Sequence, residues 1–453
     1  MAAIRAAQLG ASVILIEKAQ LGGTCLNRGC IPTKALYQNA NVIKAISRSE
    51  EFGVTHEGFT VHMDKIQERK DQVVTQLRDG VAQLIKSYGV EYIEGLASID
   101  TPRRISVAPA QGESFIVEAE NIIIATGSVP AMLTIPGVDL PGVINSDHLL
   151  AIKEIPRSMV VVGGGVIGME FASIFATFGT EVTVVEYLPR ILNMVDKDLV
   201  VRLSASLRKS GIKFATDMRV QEITRGEDGL LTVTAEGKKG PETFSAEKVL
   251  MATGRNINVA GLKLDAVGVE YDRRGIKVNE KFATNVKGIY AIGDVIGGMM
   301  LAHVASDEGK ACVENILGLT GHINYSAVPA VVFTSPEVAT VGLTEDEAKE
   351  QGLDYSVGRF MMGANSKAVT MGEELGMVKV IAEGPRKVVV GAHMLGIHAS
   401  TLIHEAALAV EHKLTVEDIA RTIHAHPTIS EAFLEAVLAV DNRAIHAAPP
   451  RKR

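Results

Sequence analysis

Apolar residues in this chain come mostly in short unbroken runs, separated by stretches with helical spacing. Met159 to Val162 is one such run. It leads into GGGVIG, a small-residue helix, Gly179, and a second run that ends on Glu186. Runs of this kind are what strands covered on both faces of a parallel sheet present. The start of the chain carries the back half of the same arrangement. A helix of small residues runs from Ala2 to Leu9, Gly10 closes it, and Val13 to Ile16 is an apolar run followed by Glu17. Further strands are predicted at GIYAIGD and at AVPAVVF, small-residue turns between domains at ATGS and ATGR, and long helices near residues 60–87 and over TLIHEAALAVEH, whose apolar face suits packing or a dimer seam.

The run ending at Val162 opens a recognisable unit. Gly163, Gly165 and Gly168 have GxGxxG spacing between a strand and a helix, and Glu186 closes the next strand. Glycines there let a turn and a helix N-terminus approach a pyrophosphate, and the terminal acid bonds a ribose 2′-hydroxyl. An acid at that point disfavours a 2′-phosphate, so NAD is expected rather than NADP. Arg190 follows too far on to reverse this. The shift that lays Gly10 on Gly179 also lays Glu17 on Glu186. On that overlay, the chain holds the second half of another dinucleotide unit, without its first strand and phosphate-cradling glycines.

Composition narrows the class. The length of 453 residues suggests roughly three domains. With 47% hydrophobic and 22% charged residues the chain is expected to be globular. A formal net charge of -7 points away from nucleic acid and anionic membranes, and the closing RKR is too short to change that. No apolar run approaches the ~18 residues of a membrane span, and the first residues lack a signal peptide's pattern. Three cysteines exclude a secreted disulfide framework. A cytoplasmic protein is expected.

Two of those cysteines lie close together in GGTCLNRGCIPTK. Cys25 and Cys30 precede a helix whose first turn accommodates Pro32, with Arg28 and Lys34 nearby. A helix N-terminus and cations favour a thiolate. A redox pair is therefore favoured over a metal site, because no second ligand cluster supplies the roughly four ligands of structural zinc. Cys312, alone in an apolar helix, reads as packing.

Other positions carry two readings each. Asp294 ends a predicted strand and reads as a ligand-binding acid or as an ordinary turn. Lys34 reads as a solvated lysine, yet Glu170 interrupts an otherwise apolar helix and a buried charge wants a partner. In HAHPTISEAFLEA, His426 suits the base that dithiol–disulfide exchange needs near neutral pH. Glu431 reads either as the carboxylate that orients it or as half of a Thr428–Glu431 capping box. His424 and His426 lack a third metal ligand at a telling spacing, and no metal is expected.

GGTCLNRGCIPTKAL, IIIATGS, GGGVIG, MATGR, IYAIGD, MMLAHVASDEG and IHAHPTISEA together resemble the flavin-dependent pyridine nucleotide–disulfide oxidoreductases, over essentially the whole chain. The resemblance implies an α/β fold of two Rossmann-like domains, for FAD and NAD, and a C-terminal α+β dimerisation domain. The FAD domain would take residues 1–130 and 256–325, the NAD domain 131–255, and the interface domain 326–453. It implies a Cys25–Cys30 redox disulfide, with Cys30 nearer the flavin, that oxidises protein-bound dihydrolipoamide. FAD would be held by Glu17, Lys34, Asp294, Ala302 and His303, with Lys34 paired to Glu170, and Thr126, Gly127 and Gly254 would border the nucleotides. His426 would be the base and Glu431 its partner, both acting on the other subunit of a homodimer. The implied partner is the lipoyl-bearing carrier of a 2-oxoacid dehydrogenase or glycine cleavage complex. The competing expectations are a flavin-poor chain that only binds nucleotides or partners, and a related NAD(P)H-dependent disulfide reductase.

Overall fold

The computed structural model describes residues 1–448; the closing Arg451, Lys452 and Arg453 lie outside them. The apolar run at residues 158–162 is the central strand of a five-stranded sheet. Its order is Lys213–Ala215, Glu181–Val185, Ser158–Val162, Lys248–Met251 and Val143–Ile144, all parallel. Val160, Val161 and Val162 are buried on both faces, which is why the run is continuous rather than alternating. Helix Val166–Thr177 covers one face and the antiparallel sheet of Arg219–Arg225, Leu231–Gly237 and Gly240–Ala246 covers the other.

The region of Glu17 is built differently from the expectation. Helix Ala2–Gln8 ends as predicted, with Gly10 at φ +86°, and strand Ile14–Glu17 follows. That strand pairs in parallel with Glu91–Thr101, which continues into an antiparallel meander with Arg104–Pro109 and Phe115–Glu118. Ile122–Ile124 and Ile289–Ala291 instead form a separate parallel pair. The strand that ends near Asp294 therefore does not complete the sheet of Ile14–Glu17, because no strand among the described residues bonds to both groups. Arg5 ties the first helix to helix Ala302–Ile316 through Glu314, at 2.7 Å.

The last part is a five-stranded antiparallel sheet in the order Ala330–Val332, Glu337–Gly342, Val388–Gly396, Met377–Glu383, Tyr355–Met361. Helices Ala399–Glu411 and Glu431–Ala439 pack on it. One contiguous core joins the regions that matter for the site. Leu36 and Ala40 of helix Cys30–Ser47 pack with Met169 and Phe171 of helix Val166–Thr177 and with Val332 and Met377 of the last sheet. No helix among the described residues is long and apolar enough to cross a membrane.

Candidate active site

Cys25 and Cys30 flank a break between helices Gly23–Arg28 and Cys30–Ser47. Gly29 fills the break, where any side chain would meet Thr24 O at 2.9 Å. Thr33 donates to Gly29 O from its hydroxyl at 2.7 Å, and Asn27 Nδ2 donates to Leu21 O at 2.9 Å, so both sides of the turn are fastened. The cysteines are half-buried free thiols. Cys25 donates a hydrogen bond to Cys30, which with the Lys34 charge lowers the Cys30 thiol to about 6 against its burial. The same bond, together with burial, pushes the Cys25 thiol up. Of the two expected cations it is Lys34 that acts on the sulfur; Arg28 faces Asp147 at 4.0 Å.

Lys34 Nζ lies 3.0 and 2.9 Å from the two carboxylate oxygens of Glu170 and 4.5 Å above the Phe333 ring. Glu170 is 4% exposed and also accepts the Phe333 N–H at 3.0 Å. The polar break in that apolar helix is thus a buried carboxylate with each oxygen occupied. Further along the same cysteine-bearing helix, Tyr37 reaches Glu337 at 3.3 Å and Lys44 reaches Ser335 at 3.0 Å.

The glycines of the second unit have distinct jobs. A Cβ on Gly163, at φ +110°, would lie 2.3 Å from Ala252 O, and one on Gly168 would lie 2.0 Å from Gly163 O. Gly165 meets nothing within 4 Å and opens on a cleft of about 850 Å³ lined also by Glu186, Tyr187, Arg219, Thr253 and Gly254. The cleft lies beyond the carboxyl ends of strands Ser158–Val162 and Glu181–Val185, where open α/β sheets bind ligands. Glu186 accepts the N–H groups of Gly164, at 2.5 Å, and Leu188, at 2.7 Å. Glu17 similarly accepts the N–H of Ala19, two residues on, at 2.9 Å. Arg190 is bound to Asn193 at 3.0 Å and does not line the cleft.

Asp294 stands in the turn Gly293–Ile296, past the end of its strand. Ser128 donates to it at 2.5 Å, and Arg255 Nε lies 2.7 Å from Ser128 Oγ and 3.9 Å from Asp294. Sequence reasoning missed Ser128 and Arg255, although each is the polar residue closing an ATG stretch. Thr126 donates to Asn258 O at 2.6 Å, and Gly127 O accepts the Asn258 N–H at 2.9 Å. Gly254 O accepts the Ala131 N–H at 2.9 Å. Ala302 opens its helix, and His303 Nε2 lies 2.8 Å from Pro329 O.

His426 Nδ1 lies 2.9 Å from Glu431 Oε1, and Glu431 Oε2 accepts the Thr428 N–H at 2.8 Å. The carboxylate thus reaches His426 as the first reading expects, whereas the capping box does not close. Only half a capping box forms, because the Thr428 hydroxyl turns to Ala425 O at 2.7 Å. Burial opposes ionisation of Glu431, but the Thr428 N–H and the His426 and His446 rings hold its carboxyl below the usual range. The His426 side chain is 68% exposed, leaving Nε2 free. His424 instead pairs with Glu405 at 2.9 Å. Among the described residues, no hydrogen bond or ion pair joins His426 to the cysteine cluster, and no group of three or more His, Cys, Asp and Glu residues is arranged to hold a metal.

Comparison with known proteins bears on this arrangement. Residues 1–309 match the family described as pyridine nucleotide-disulphide oxidoreductase, and residues 328–437 match its dimerisation domain. The mitochondrial dihydrolipoyl dehydrogenase of Pisum sativum is 43% identical over 452 residues, covering 98% of this chain and 90% of that one. The dihydrolipoyl dehydrogenase of Bacillus subtilis is 42% identical, covering 98% and 96%. The crystal structure of LpdA from Mycobacterium tuberculosis superposes with a TM-score of 0.89 at 27% identity, covering 96% of each chain.

Proposed function

Since this chain belongs to the pyridine nucleotide-disulphide oxidoreductase family, we propose that it acts as a dihydrolipoyl dehydrogenase, oxidising protein-bound dihydrolipoamide to lipoamide with NAD⁺ as acceptor. The observation that carries this reading is the half-buried Cys25–Cys30 pair at a helix start, beside a Lys34 held by buried Glu170, a setting that lowers the Cys30 thiol and raises that of Cys25. The relatives' names support dihydrolipoamide as the dithiol. The match to a dimerisation domain supports a homodimer.

The cofactors are FAD and NAD; the residues present fit NAD throughout and fit FAD on the side of Asp294 and Lys34, without the glycine turn of the first unit. For NAD the fit is the glycine turn into which no Cβ can enter at Gly163 or Gly168, with Glu186 at the cleft wall. For FAD it is the convergence of Asp294, Ser128 and Arg255, with the Lys34–Glu170 pair beside the cysteines. Thr126, Gly127, Ala302, His303 and Glu17 complete the FAD set, and Gly165 and Gly254 border the NAD cleft. Bound FAD supplies the passage from a dithiol's electron pair to hydride on NAD.

The chain's own residues handle the thiols and the protons. In the oxidised pair, Cys25 and Cys30 share a disulfide. One substrate thiol gives its proton to Nε2 of His426 from the partner subunit and attacks Cys25. The disulfide breaks and its electron pair leaves on Cys30, whose thiolate Lys34 favours at once and the Cys25 hydrogen bond favours after Cys25 is released as a thiol. The second substrate thiol then displaces Cys25, which takes up the proton, and the lipoamide disulfide closes. Glu431 fixes the His426 tautomer so that Nε2 faces the sulfur.

The carrier belongs to a 2-oxoacid dehydrogenase or glycine cleavage complex. A reducing compartment, the cytoplasm, suits cysteines that cycle between thiol and disulfide. The test is NADH formation by the purified protein with dihydrolipoamide, set against reduction of glutathione disulfide by NADPH. The reading expects the first reaction and a preference for NAD over NADP; turnover of glutathione disulfide alone would overturn it.

A further inference from the structure

The stretch MMLAHVASDEG contains a buried acid that neither the flavin set nor the thiol chemistry uses. Glu308, on helix Ala302–Ile316, is 3% exposed. Its Oε2 accepts the Gly293 N–H at 2.6 Å, and its Oε1 accepts the Tyr325 hydroxyl at 2.8 Å. A carboxylate taken out of water needs such donors, and bonds to an ionised acceptor are the strong, well-oriented kind. Burial, and to a smaller extent the charge of Asp294, push its carboxyl up against these two donors.

Gly293 is the residue immediately before Asp294. It sits at φ +73°, and a Cβ there would lie 3.2 Å from Ala305 Cβ, on the same helix as Glu308. Two other backbone bonds define this turn. Ile292 N–H reaches Ile124 O at 3.0 Å, and Gly297 N–H reaches Asp294 O at 3.0 Å. Ser128 donates to Asp294 Oδ2, and among the described residues Oδ1 has no hydrogen-bond partner. The helix that carries Glu308 is itself fixed from behind. A Cβ on Gly309 would lie 3.2 Å from Ala2 Cβ, and Arg5 is bound to Glu314. Tyr325 opens the turn Tyr325–Ala327 that leads into the last sheet, so Glu308 ties three segments together.

We infer that Glu308 is a positioning residue for FAD: by holding the Gly293 N–H while Tyr325 holds it, Glu308 sets the turn so that Asp294 Oδ1 is presented to the flavin nucleotide. The inference rests on the reading of Asp294 as a FAD ligand. Ser128 fixes that ligand from its carboxylate, and Glu308 fixes it from its backbone. Without Glu308 the Gly293 N–H lacks its acceptor, and a glycine regains more backbone freedom than any other residue. Glutamine can take over the task. Its amide oxygen accepts from Gly293, its amide N–H donates to Tyr325, and the tyrosine hydroxyl turns round to accept.

The experiment is release of FAD from the purified holoenzyme dimer on dilution, read by the rise in flavin fluorescence. Glu308→Ala is expected to speed release about ten- to hundredfold, and Tyr325→Phe about three- to tenfold, while Glu308→Gln stays within about threefold of the parent. Because Glu308 acts through Asp294, adding Glu308→Ala to Asp294→Asn is expected to speed release no more than about twofold over Asp294→Asn alone. A pair of substitutions whose effects simply multiply marks general loosening of the fold, and that result overturns the inference. Parental release from Glu308→Ala, or a Glu308→Gln variant as leaky as Glu308→Ala, overturns it as well and leaves Asp294 in place as the ligand. Should Glu308→Ala not fold, Tyr325→Phe carries the test, since it removes one hydroxyl from a residue that is 45% exposed, and parental release then overturns the inference. An Asp294→Asn variant that keeps FAD as firmly as the parent would instead remove the reading on which the inference rests.

Discussion

The cysteine site and the histidine site differ in how completely one chain finishes them. Cys25 and Cys30 are half-buried, and the groups that hold them are engaged: Lys34 with Glu170, Glu170 with the Phe333 N–H, Thr33 with Gly29 O. His426 has one nitrogen on Glu431 and the other in the open, with Ile423 beside it 96% exposed. The first is a site with its surroundings already in place. The second is half a site, an oriented imidazole with nothing opposite it, which is the geometry a dimer contributing residues across its interface requires.

The contrast is broken most severely at the sulfurs. Cys30→Ser is expected to lower dihydrolipoamide oxidation by about 10⁴-fold or more while leaving bound flavin in place, as read by turnover and by the visible spectrum. Next comes His426→Gln, which removes the base and is expected to cost about 10²–10⁴-fold in kcat. Lys34→Met is a smaller effect of another kind. It strands a buried carboxylate, costs about 3 kcal/mol of stability by denaturant unfolding, and raises the Cys30 thiol.

The gentlest probe is pH. Because the Cys30 thiol is shifted down, its thiolate form is present above about 6 and lost below it. Alkylation of the reduced protein should therefore rise through a midpoint near 6, far below an ordinary cysteine. Glu431 is also shifted down, so the His426–Glu431 pair persists as pH falls past the usual carboxylate range.

Much of this was legible in the sequence, for local reasons. Unbroken valine runs, the GxGxxG turn and the acid closing the next strand are all written within one short stretch, and Gly163 and Gly168 are forced by contacts with their own unit. Glu170 was legible as a charge in an apolar helix. The rest depended on chain segments distant in sequence. Ser128 and Arg255 meet only because two separate strands, Ser128–Pro130 and Arg255–Ile257, pair antiparallel. The sheet at residues 219–246 alternates and half faces solvent, so it lacks the continuous signal of its parallel neighbour. The Glu435–His446 contact depends on the chain folding back after a helix, which no periodicity reports.

The central claim is that the sulfurs of one chain work with the histidine of the other. Its most direct test is to unfold and reassort equal amounts of Cys25→Ser and His426→Gln chains, each inactive alone. The mixed dimer carries one site with both Cys25 and His426 intact, so about a quarter of the parent activity should return. No return of activity, with mixed dimers demonstrably formed, would mean that each chain completes its own site and would contradict this account.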